Sequence, residues 1–455
     1  MWISTQNRQL RKFWGKDKEN MERKLYKDLA EWESMSVKEP LMLIGVRQVG
    51  KTWLIQKFCE DCYTDTFYVN LEEQQSFQSA FDGDLSPTVI LRNLSILAGR
   101  TLTESTTIVL DEIQVCERAI TALKYFCEAK ENYRVIAAGS LLGVKINRFS
   151  SSFPVGKVRI VHMYPLDFEE FLVACGESLL RDAVRQSFRE NQVLPTGIHE
   201  KALQLCYDYM LVGGMPKAVS DYVACGKRIT AFRREIHREL QLAYLSDMTK
   251  YVSSPYETEK ISQVYQSVPR QLAKENPKFK YSVVRPNANK RDFYAPIDWL
   301  KSAGMVLSVN ALEVPLSPMK SYTKEGIFKL YLSDVGMLSS MCGMKPRDLL
   351  PEENNMYKGA VAENYVIQQF AAHREALYYF KPSENMEIDL VDDSAAVIPI
   401  EIKAGRHKRS RSLDRYMEHY KPEAAIRISA LNFGKAGTLL SVPLYAVFCL
   451  ADNGQ

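Results

Sequence analysis

The chain has 455 residues, which is too long for one ordinary hydrophobic core and predicts three or four domains. Its hydrophobic content of 46% and charged content of 25% are those of a soluble globular protein. A net charge of +4 is no overall signal of a nucleic-acid binder, and no apolar run reaches the roughly 20 residues of a membrane span. Nine cysteines and an N-terminus without an apolar signal segment predict a cytoplasmic protein with no membrane partner.

The first motif lies near the N-terminus, after a polar and basic extension (residues 1–20) and an amphipathic helix (residues 21–32). A short apolar strand at 41–44 precedes the pattern Gly-x-x-x-x-Gly-Lys-Thr. A helix is predicted at 53–59, with Trp53, Leu54 and Phe58 on its apolar face. This order of strand, glycine-rich turn and helix is typical of a phosphate-binding loop, in which backbone N–H groups converge on an anion. Lys51 is expected to bridge the β- and γ-phosphates of ATP, and the Thr52 hydroxyl to ligate Mg²⁺. The residues predicted to contact the nucleotide here are Gly45, Val46, Arg47, Gln48, Val49, Gly50, Lys51, Thr52 and Trp53.

A second motif is the apolar strand 106–112, which ends in two acids, Asp111 and Glu112. The carboxyl end of a parallel strand lies at the edge of the sheet where such folds bind ligands. We therefore predict that Asp111 holds Mg²⁺ and that Glu112 polarises the attacking water. Strands are also predicted at 66–71, 133–140 and 155–163. Ser140 ends one of them and either senses the γ-phosphate or is a plain turn serine.

Five segments together resemble a prokaryotic AAA+-type P-loop ATPase family that carries a C-terminal domain of unknown function: GVRQVGKT, VLDEIQ, AAGSLLGV, FPVGKV and YPLDFEEFL. The last of these predicts a helix with Pro165 in its first turn. The resemblance spans nearly the whole chain. It implies ATP hydrolysis and a five-stranded core with an extra strand between the phosphate-loop strand and the Asp111 strand. It also implies that Asn70 is a polar switch that holds Glu112 when nucleotide is absent. Ring assembly is common in such relatives, and the candidate arginine fingers are Arg148, Lys157 and Arg159.

A helix-rich segment follows and contains Gly213-Gly214-Met215-Pro216. On local grounds this sequence breaks a helix. On the same family resemblance it is a Gly-x-Pro element by which a lid helix is placed on the adenine, so that Pro216 contacts the nucleotide.

The segment 251–335 predicts a helix, a turn, another helix and a short strand, which suits a winged helix. It carries a basic run composed of Lys278, Lys280, Arg285, Lys290 and Arg291. These residues either contact DNA phosphates or form the solvated face of a packing module.

The last motif combines a helix that carries Glu363 with a strand hairpin that carries Asp389, Glu401 and Lys403. Side chains two apart on a strand share a face, so Glu401 and Lys403 are expected to lie together with Asp389 beside them. The set resembles the PD-(D/E)xK nucleases, in which carboxylates bind Mg²⁺ and a lysine helps to activate water. By this resemblance Glu363, Asp389 and Glu401 are metal ligands, and Asp389, Glu401 and Lys403 are catalytic. Ordinary surface ion pairs are the alternative. A basic segment suited to a phosphate backbone follows: Arg406, His407, Lys408, Arg409, Ser410 and Arg411.

These motifs predict an α/β protein with a P-loop parallel-sheet core (21–172), a helical lid (173–250), a winged-helix-like domain (251–335) and a nuclease-like domain (336–455). The predicted function is Mg²⁺-dependent ATP binding and hydrolysis, with Lys51, Glu112 and Ser140 at the catalytic centre, driving a conformational switch on DNA. Two alternatives are an ATP-gated, metal-dependent DNA nuclease and a non-catalytic, nucleotide-dependent adaptor.

Overall fold

The computed structural model describes residues 21–140, 153–154, 156–252, 254–274, 277–350, 353, 355–406 and 410–452, so the predicted extension 1–20 lies outside it. Within this part of the chain there are two compact units. The N-terminal unit contains Arg23–Tyr164 and Asp298–Met305, and the C-terminal unit contains the other described residues. No helix among the described residues has both the length and the apolar composition of a membrane span.

The N-terminal unit is built on a five-stranded sheet in which every pair of neighbouring strands is parallel. Its strands are β1 (Leu41–Ile44), β2 (Thr66–Asn70), β3 (Thr107–Asp111), β4 (Val135–Gly139) and β5 (Arg159–His162), in the order β2-β3-β4-β1-β5. Strands β1, β3 and β4 are buried along their whole length, as parallel strands covered on both faces must be. The expected extra strand is confirmed, because β4 lies between β1 and β3.

The α-helices that accompany this sheet in its described residues are α1 (Tyr26–Ser34), α2 (Lys51–Cys62), α3 (Pro87–Ala98) and α4 (Glu117–Glu128). Helix α2 begins at Lys51, two residues before the predicted start, with Gly50 as its N-cap. Its buried face is formed by Leu54, Ile55 and Phe58, whereas Trp53 is only half-buried. The prediction that Trp53 belongs to the apolar face was therefore wrong. The prediction was right for Leu54 and Phe58, which are buried, and Ile55 takes the place of Trp53 because it lies three positions before Phe58.

The helix-rich segment is confirmed as five helices of the C-terminal unit: α5 (Phe168–Ala174), α6 (Ser178–Glu190), α7 (Thr196–Val212), α8 (Pro216–Ala224) and α9 (Glu235–Tyr251). Helix α5 does not carry Pro165 in its first turn, which corrects the prediction. Asp167 is its N-cap: the Asp167 carboxylate accepts from the Glu170 amide, and the Glu170 carboxylate accepts from the Asp167 amide. This reciprocal pair satisfies two N–H groups that a helix start leaves open.

The Gly213-Gly214 break between α7 and α8 is shaped by a distant carboxylate. A Cβ atom on Gly213 would lie 2.2 Å from Oδ1 of Asp334, and the Gly213 φ of +76° is a conformation that favours glycine. The Gly214 amide donates to Oδ2 of Asp334 at 2.6 Å. Asp334 also caps the next helix by accepting from the Met337 amide at 3.0 Å. One buried side chain thus joins two helix ends that are far apart in the sequence.

The rest of the C-terminal unit surrounds an eight-stranded mixed sheet of order β12-β13-β11-β10-β9-β8-β6-β7. Its strands are β6 (Val306–Leu312), β7 (Thr323–Leu332), β8 (Leu377–Ser383), β9 (Met386–Asp392), β10 (Ile398–Ile402), β11 (Ala425–Ser429), β12 (Gly434–Ala436) and β13 (Leu439–Pro443). The remaining α-helices among the described residues are α10 (Pro255–Leu272), α11 (Tyr281–Val284), α12 (Lys290–Ser302), α13 (Val335–Met341), α14 (Lys358–Ala371), α15 (Arg411–Tyr420) and α16 (Val447–Asp452).

The segment predicted as a winged helix contains three helices, α10 to α12, followed by the antiparallel hairpin β6–β7. That hairpin is not separate from the sheet of the next segment, because β6 pairs in parallel with β8. The sheet therefore runs across the predicted domain boundary at 335/336, which stays a prediction.

Asp334 leads to a prediction about pH. Burial raises the pKa of Asp334 to about 6, although the N–H groups of Gly214 and Met337 favour its charged form. The folded state therefore binds this proton more tightly than the unfolded chain, whose Asp pKa is about 3.9. The stability that protonation contributes is complete below about pH 4 and is lost as the pH rises through about 6.

In Asp334→Asn this dependence should disappear, so that the loss of stability between pH 4 and pH 7 is smaller by about 2–3 kcal/mol. Thermal unfolding midpoints at the two pH values measure it. Asp182→Asn is the matched control, because that carboxylate is exposed. An unchanged pH dependence in Asp334→Asn would contradict this assignment.

Candidate functional site

The phosphate-binding loop connects β1 to α2 and encloses its own lysine. Gly50 adopts a φ of +102°, which lets the loop turn directly into the helix. Lys51 is only 6% exposed, and its Nζ donates to the carbonyl oxygens of Gly45 (2.7 Å) and Val46 (3.0 Å). Val46 and Val49 are buried, whereas Arg47 is half-buried and Gln48 is exposed. The loop therefore positions an ammonium group at the start of α2, where the helix adds partial positive charge.

The Asp111 carboxylate joins the two motifs that the sequence separates. The Thr52 hydroxyl at the start of α2 donates to Oδ2 of Asp111 at 2.7 Å. The Tyr68 hydroxyl, from the adjacent strand β2, donates to the same oxygen at 2.7 Å. Oδ1 accepts from the Glu112 amide at 2.9 Å. These contacts hold the acid at the carboxyl end of β3 against the beginning of the loop helix.

Tyr68 is a site residue that the sequence reasoning missed. Burial, together with the nearby Asp111 charge, raises the pKa of Tyr68, so its hydroxyl stays protonated and remains a donor. Its position on β2 could have indicated this role. Tyr68 is two residues before Asn70 and so lies on the same face of the strand, and Asn70 pairs with Asp111 in the sheet.

Glu112 follows Asp111 in a left-handed conformation, with a φ of +50°. Burial raises the pKa of Glu112, while a hydrogen bond from Gln114 and the charge of Lys51 oppose that rise. A carboxylate whose pKa is raised toward neutral pH is better matched to act as a base. The contact predicted from Asn70 is not formed: Gln114 donates to Oε2 of Glu112, and Oδ1 of Asn70 accepts from the Glu72 and Glu73 amides. The side-chain oxygen of Asn70 closes a local turn instead, and its role as a nucleotide-dependent switch stays a prediction.

Three other predicted residues have defined places. Ser140 directly follows β4, the strand between β1 and β3, and is buried. It therefore lies at the same edge of the sheet as the loop and Asp111. Trp53 is half-buried on α2. Pro216 is the first residue of α8 in the C-terminal unit, and its contact with nucleotide stays a prediction.

The predicted arginine fingers are engaged within the N-terminal unit or not described. Lys157 lies 3.4 Å from Glu128, and Arg159 lies 3.3 Å from Glu31. Arg148 lies outside the described residues. Their role in another subunit's site stays a prediction.

Arg23 is a second residue that the sequence reasoning missed. It is 8% exposed, and its guanidinium donates to the carbonyl oxygens of Val49 (3.1 Å) and Tyr164 (2.6 Å). Val49 belongs to the phosphate-binding loop, so Arg23 ties that loop to the chain that follows β5. No local pattern could have shown this, because Tyr164 is far from Arg23 in the sequence.

In the C-terminal unit, the predicted hairpin is confirmed as the antiparallel pair β9–β10. The Lys403 ammonium lies 2.5 Å from Oε1 of Glu401, and the Ser410 hydroxyl donates to the same oxygen at 2.7 Å. Oδ2 of Asp389 accepts from the Ile402 amide at 2.8 Å. The structure therefore brings Asp389, Glu401 and Lys403 together at the end of β10.

Glu363, on α14, has different partners from those predicted. Its Oε2 accepts from the Tyr331 hydroxyl at 2.7 Å and lies 3.8 Å from the ammonium of Lys329. Lys329 is 0% exposed and lies 2.7 Å from Oε1 of Glu387. Lys329 was missed, although it is a lone lysine in the apolar run that ends β7. A charged residue in such a run is the signal that could have found it.

The charges of this cluster perturb one another. Burial raises the pKa of Asp389 well above its ordinary value, and the charges of Glu401 and Glu363 add to that effect. Burial lowers the pKa of Lys403 but the carboxylates of Glu401 and Asp389 raise it more, so that it is raised overall. Among the described residues, no group of three or more His, Cys, Asp and Glu side chains is arranged to hold a metal ion.

The two predicted basic segments differ in how much of them is described. In the first, Lys280, Lys290 and Arg291 are exposed, while Lys278 and Arg285 are half-buried. In the segment 406–411, Arg406 pairs with Glu200 at 2.5 Å, Ser410 contacts Glu401, and Arg411 begins α15. Residues 407–409 lie outside the described part of the chain.

The contacts of Arg23 lead to a prediction. In Arg23→Met the loop loses its tie at Val49, so we expect the dissociation constant for ATP to rise by about tenfold, as when one hydrogen bond to a charged group is lost. Titration calorimetry measures it. Lys27→Met, an exposed position on α1, is the matched control. Equal ATP affinity in the two variants would show that Arg23 does not hold the loop.

Comparisons with known proteins agree with the geometry of the first site. Residues 37–172 match the family model of the AAA domain, and residues 203–348 and 358–445 match two domains of unknown function, DUF8612 and DUF4143. No curated protein is significantly similar to the chain.

Solved structures resemble the chain only distantly. A Walker-type ATPase of Pyrococcus abyssi is 17% identical, with a TM-score of 0.44, over 71% of this chain and 96% of that chain. The ORC2 protein of Aeropyrum pernix is 12% identical, with a TM-score of 0.34, over 70% and 91%. Scores this low assign no function, and the family match is the informative result. With the loop and Asp111 in contact as described, residues 37–172 are a P-loop ATPase domain of the AAA type.

Proposed function

We propose that the protein is a Mg²⁺-dependent ATPase that couples ATP hydrolysis to a conformational switch and acts on DNA. The observation that carries the proposal is the 2.7 Å hydrogen bond from the Thr52 hydroxyl to the Asp111 carboxylate. It joins the loop that would bind the phosphates to the strand end that would hold the metal. The glycine-rich turn or the acidic strand end would each be weak evidence alone.

The residues at this junction fit a magnesium ion. The Thr52 hydroxyl donates a hydrogen bond to Asp111, so the lone pairs of its oxygen stay free for a cation. Hydroxyl and carboxylate oxygens are the ligands that Mg²⁺ prefers. Thr52 would hold the ion directly and Asp111 would hold it from the strand end. When bound, the ion supplies charge neutralisation on the phosphate oxygens.

The other residues supply position and a base. Lys51, whose ammonium now donates to two loop carbonyls, would exchange these for phosphate oxygens of higher negative charge. Glu112 would accept hydrogen bonds from the attacking water and orient it, helped by its raised pKa. Gln114 holds the Glu112 carboxylate and would set its direction. Ser140 would contact the water or the γ-phosphate from the end of β4.

These roles predict different defects for Lys51 and Glu112. Lys51→Ala should lose both ATP binding and hydrolysis. Glu112→Gln should bind ATP about as well as the unchanged protein but hydrolyse it about 10²–10⁴-fold more slowly, because only the base is removed. Steady-state phosphate release and ATP titration measure the two effects.

The matched control is Lys57→Ala on the same helix, whose ammonium pairs with Asp61 at the surface. A Lys51→Ala protein with the unchanged rate of hydrolysis would refute the proposal. Tight ATP binding with negligible turnover in the unchanged protein would favour the non-catalytic adaptor.

The same assay of ATP hydrolysis, with and without duplex DNA, tests whether DNA is the partner. DNA should alter turnover, and alanine at Lys280, Lys290 and Arg291 should weaken that effect and its salt dependence.

A second candidate function, a metal-dependent DNA nuclease, is favoured by the proximity of Asp389, Glu401 and Lys403. In a nuclease, two carboxylates hold a divalent ion and a lysine stabilises the charge that develops on the phosphate. The Glu401 carboxylate fits this use, because its Oε2 is buried and has no hydrogen-bond partner among the described residues.

The nuclease candidate predicts that the protein cleaves DNA with Mg²⁺ or Mn²⁺ and that Asp389→Asn lowers the rate by at least about 10²-fold, because a metal ligand is lost. Incubation with single-stranded, duplex and branched DNA, with and without ATP, measures cleavage. Asp393→Asn, in the turn after β9, is the matched control. No cleavage by either protein, or equal cleavage by both, would remove the candidate.

A further inference from the structure

Lys329 is the most deeply buried charge of the acidic site in the C-terminal unit. It lies on β7 and is 0% exposed, so its ammonium has lost the solvation that water would provide. A buried ammonium is tolerated only when carboxylates surround it. Its partners are Glu387 at 2.7 Å and Glu363 at 3.8 Å, and the ring of Tyr379 lies 4.9 Å away.

The carboxylates of the site therefore fall into two groups. Glu363 and Glu387 are engaged with Lys329, and each has one more partner: Tyr331 donates to Glu363, and Lys381 pairs with Glu387. In the described part of the chain, Asp389 and Glu401 form no ion pair with Lys329, and Glu401 pairs with Lys403 instead. The pairing of Ile400 with Leu390 puts Glu401 beside Asp389 on adjacent strands.

The second group retains a buried carboxylate oxygen that is ready for a cation. Glu401 is 3% exposed, and its Oε2 has no hydrogen-bond partner among the described residues. A buried carboxylate oxygen without a partner is unfavourable, and a divalent ion shared with Asp389 would satisfy it. In the first group, the position between Glu363 and Glu387 is already taken by the Lys329 ammonium.

We propose that Lys329 is a built-in cation that takes the place of a second divalent ion. The site then binds a single divalent ion through Asp389 and Glu401, and Glu363 is a partner of Lys329, not a metal ligand. The one-ion part of this assignment rests on the nuclease candidate above. Lys329 is a positioning residue: it holds Glu363 and Glu387 in place with no metal present.

Two measurements on the full chain separate the groups. The first is thermal unfolding in excess EDTA, where no metal ion can neutralise the carboxylates. Glu363→Gln, Glu387→Gln and Lys329→Met should each lower the unfolding midpoint by several degrees, on the order of 5 °C, because each breaks a buried ion pair. Asp389→Asn should not lower it, because Asp389 forms no ion pair among the described residues; Glu401 is left out of this comparison because it pairs with Lys403. Glu384→Gln, an exposed position in the turn between β8 and β9, is the matched control.

The second measurement is Mn²⁺ titration followed by electron paramagnetic resonance. It is made without nucleotide and in a Thr52→Ala background, so that the phosphate-binding loop contributes little. One Mn²⁺ ion should bind at the site formed by Asp389 and Glu401. The dissociation constant of this ion should rise at least tenfold in Asp389→Asn and Glu401→Gln, because each loses a metal ligand. It should rise less than about threefold in Glu363→Gln, because Glu363 lies outside the first coordination sphere.

The outcomes are distinct. If Glu363→Gln weakens Mn²⁺ binding as much as Asp389→Asn does, or two ions are lost with Asp389, the proposal is overturned. If Lys329→Met and both glutamine variants are as stable as the control in EDTA, Lys329 is not the internal cation. If no Asp389-dependent ion binds at all, the nuclease candidate and the one-ion assignment fail together, and the EDTA data still decide whether Lys329 neutralises Glu363 and Glu387. Lys329→Met tests the ammonium most directly, and the two glutamine variants keep the test valid should it fail to fold.

Discussion

The functional geometry of the N-terminal unit depends on one carboxylate, that of Asp111. It is buried at the carboxyl end of β3 and accepts hydrogen bonds from Thr52 on the loop helix and from Tyr68 on the neighbouring strand. An acid at this depth is stable only when donors surround it, so the same contacts that satisfy Asp111 also fix the loop helix relative to the sheet. The requirement of the fold and that of the metal site are met by one set of hydrogen bonds.

The C-terminal unit treats its buried charges in another way. Around Lys329 and Glu387 the structure places opposite charges in direct contact. One buried oxygen of Glu401 has no partner in the part of the chain that the structure describes. Buried ion pairs contribute little net stability but are costly to break from one side. The arrangement is thus a poor source of stability and a good means of holding carboxylates at fixed positions. Such positions suit either the binding of a cation or the recognition of a phosphate backbone.

Two features show how strongly distant residues shape local structure. Asp334 accepts a hydrogen bond from the Gly214 amide and caps α13. The break between α7 and α8 therefore depends on a residue more than a hundred positions away. Arg23 ties Val49 of the loop to Tyr164. In both cases a buried polar group finds its partners across the fold, because water is not available to it.

The sequence alone determined the order of strand, loop and helix at 41–62, the five parallel strands, and the hairpin that carries Asp389 and Glu401. These features are encoded by short apolar runs, by glycine and by the alternation of side chains, which act locally. Only the tertiary structure decided which groups meet. Tyr68, Arg23 and Lys329 were missed because each acts on a partner from another strand or loop. The partner of Glu112 in the structure is Gln114, whereas the side-chain oxygen of Asn70 closes its own turn. Contacts between segments depend on how the strands and helices are ordered in space, and no local pattern in a single sequence reports that order.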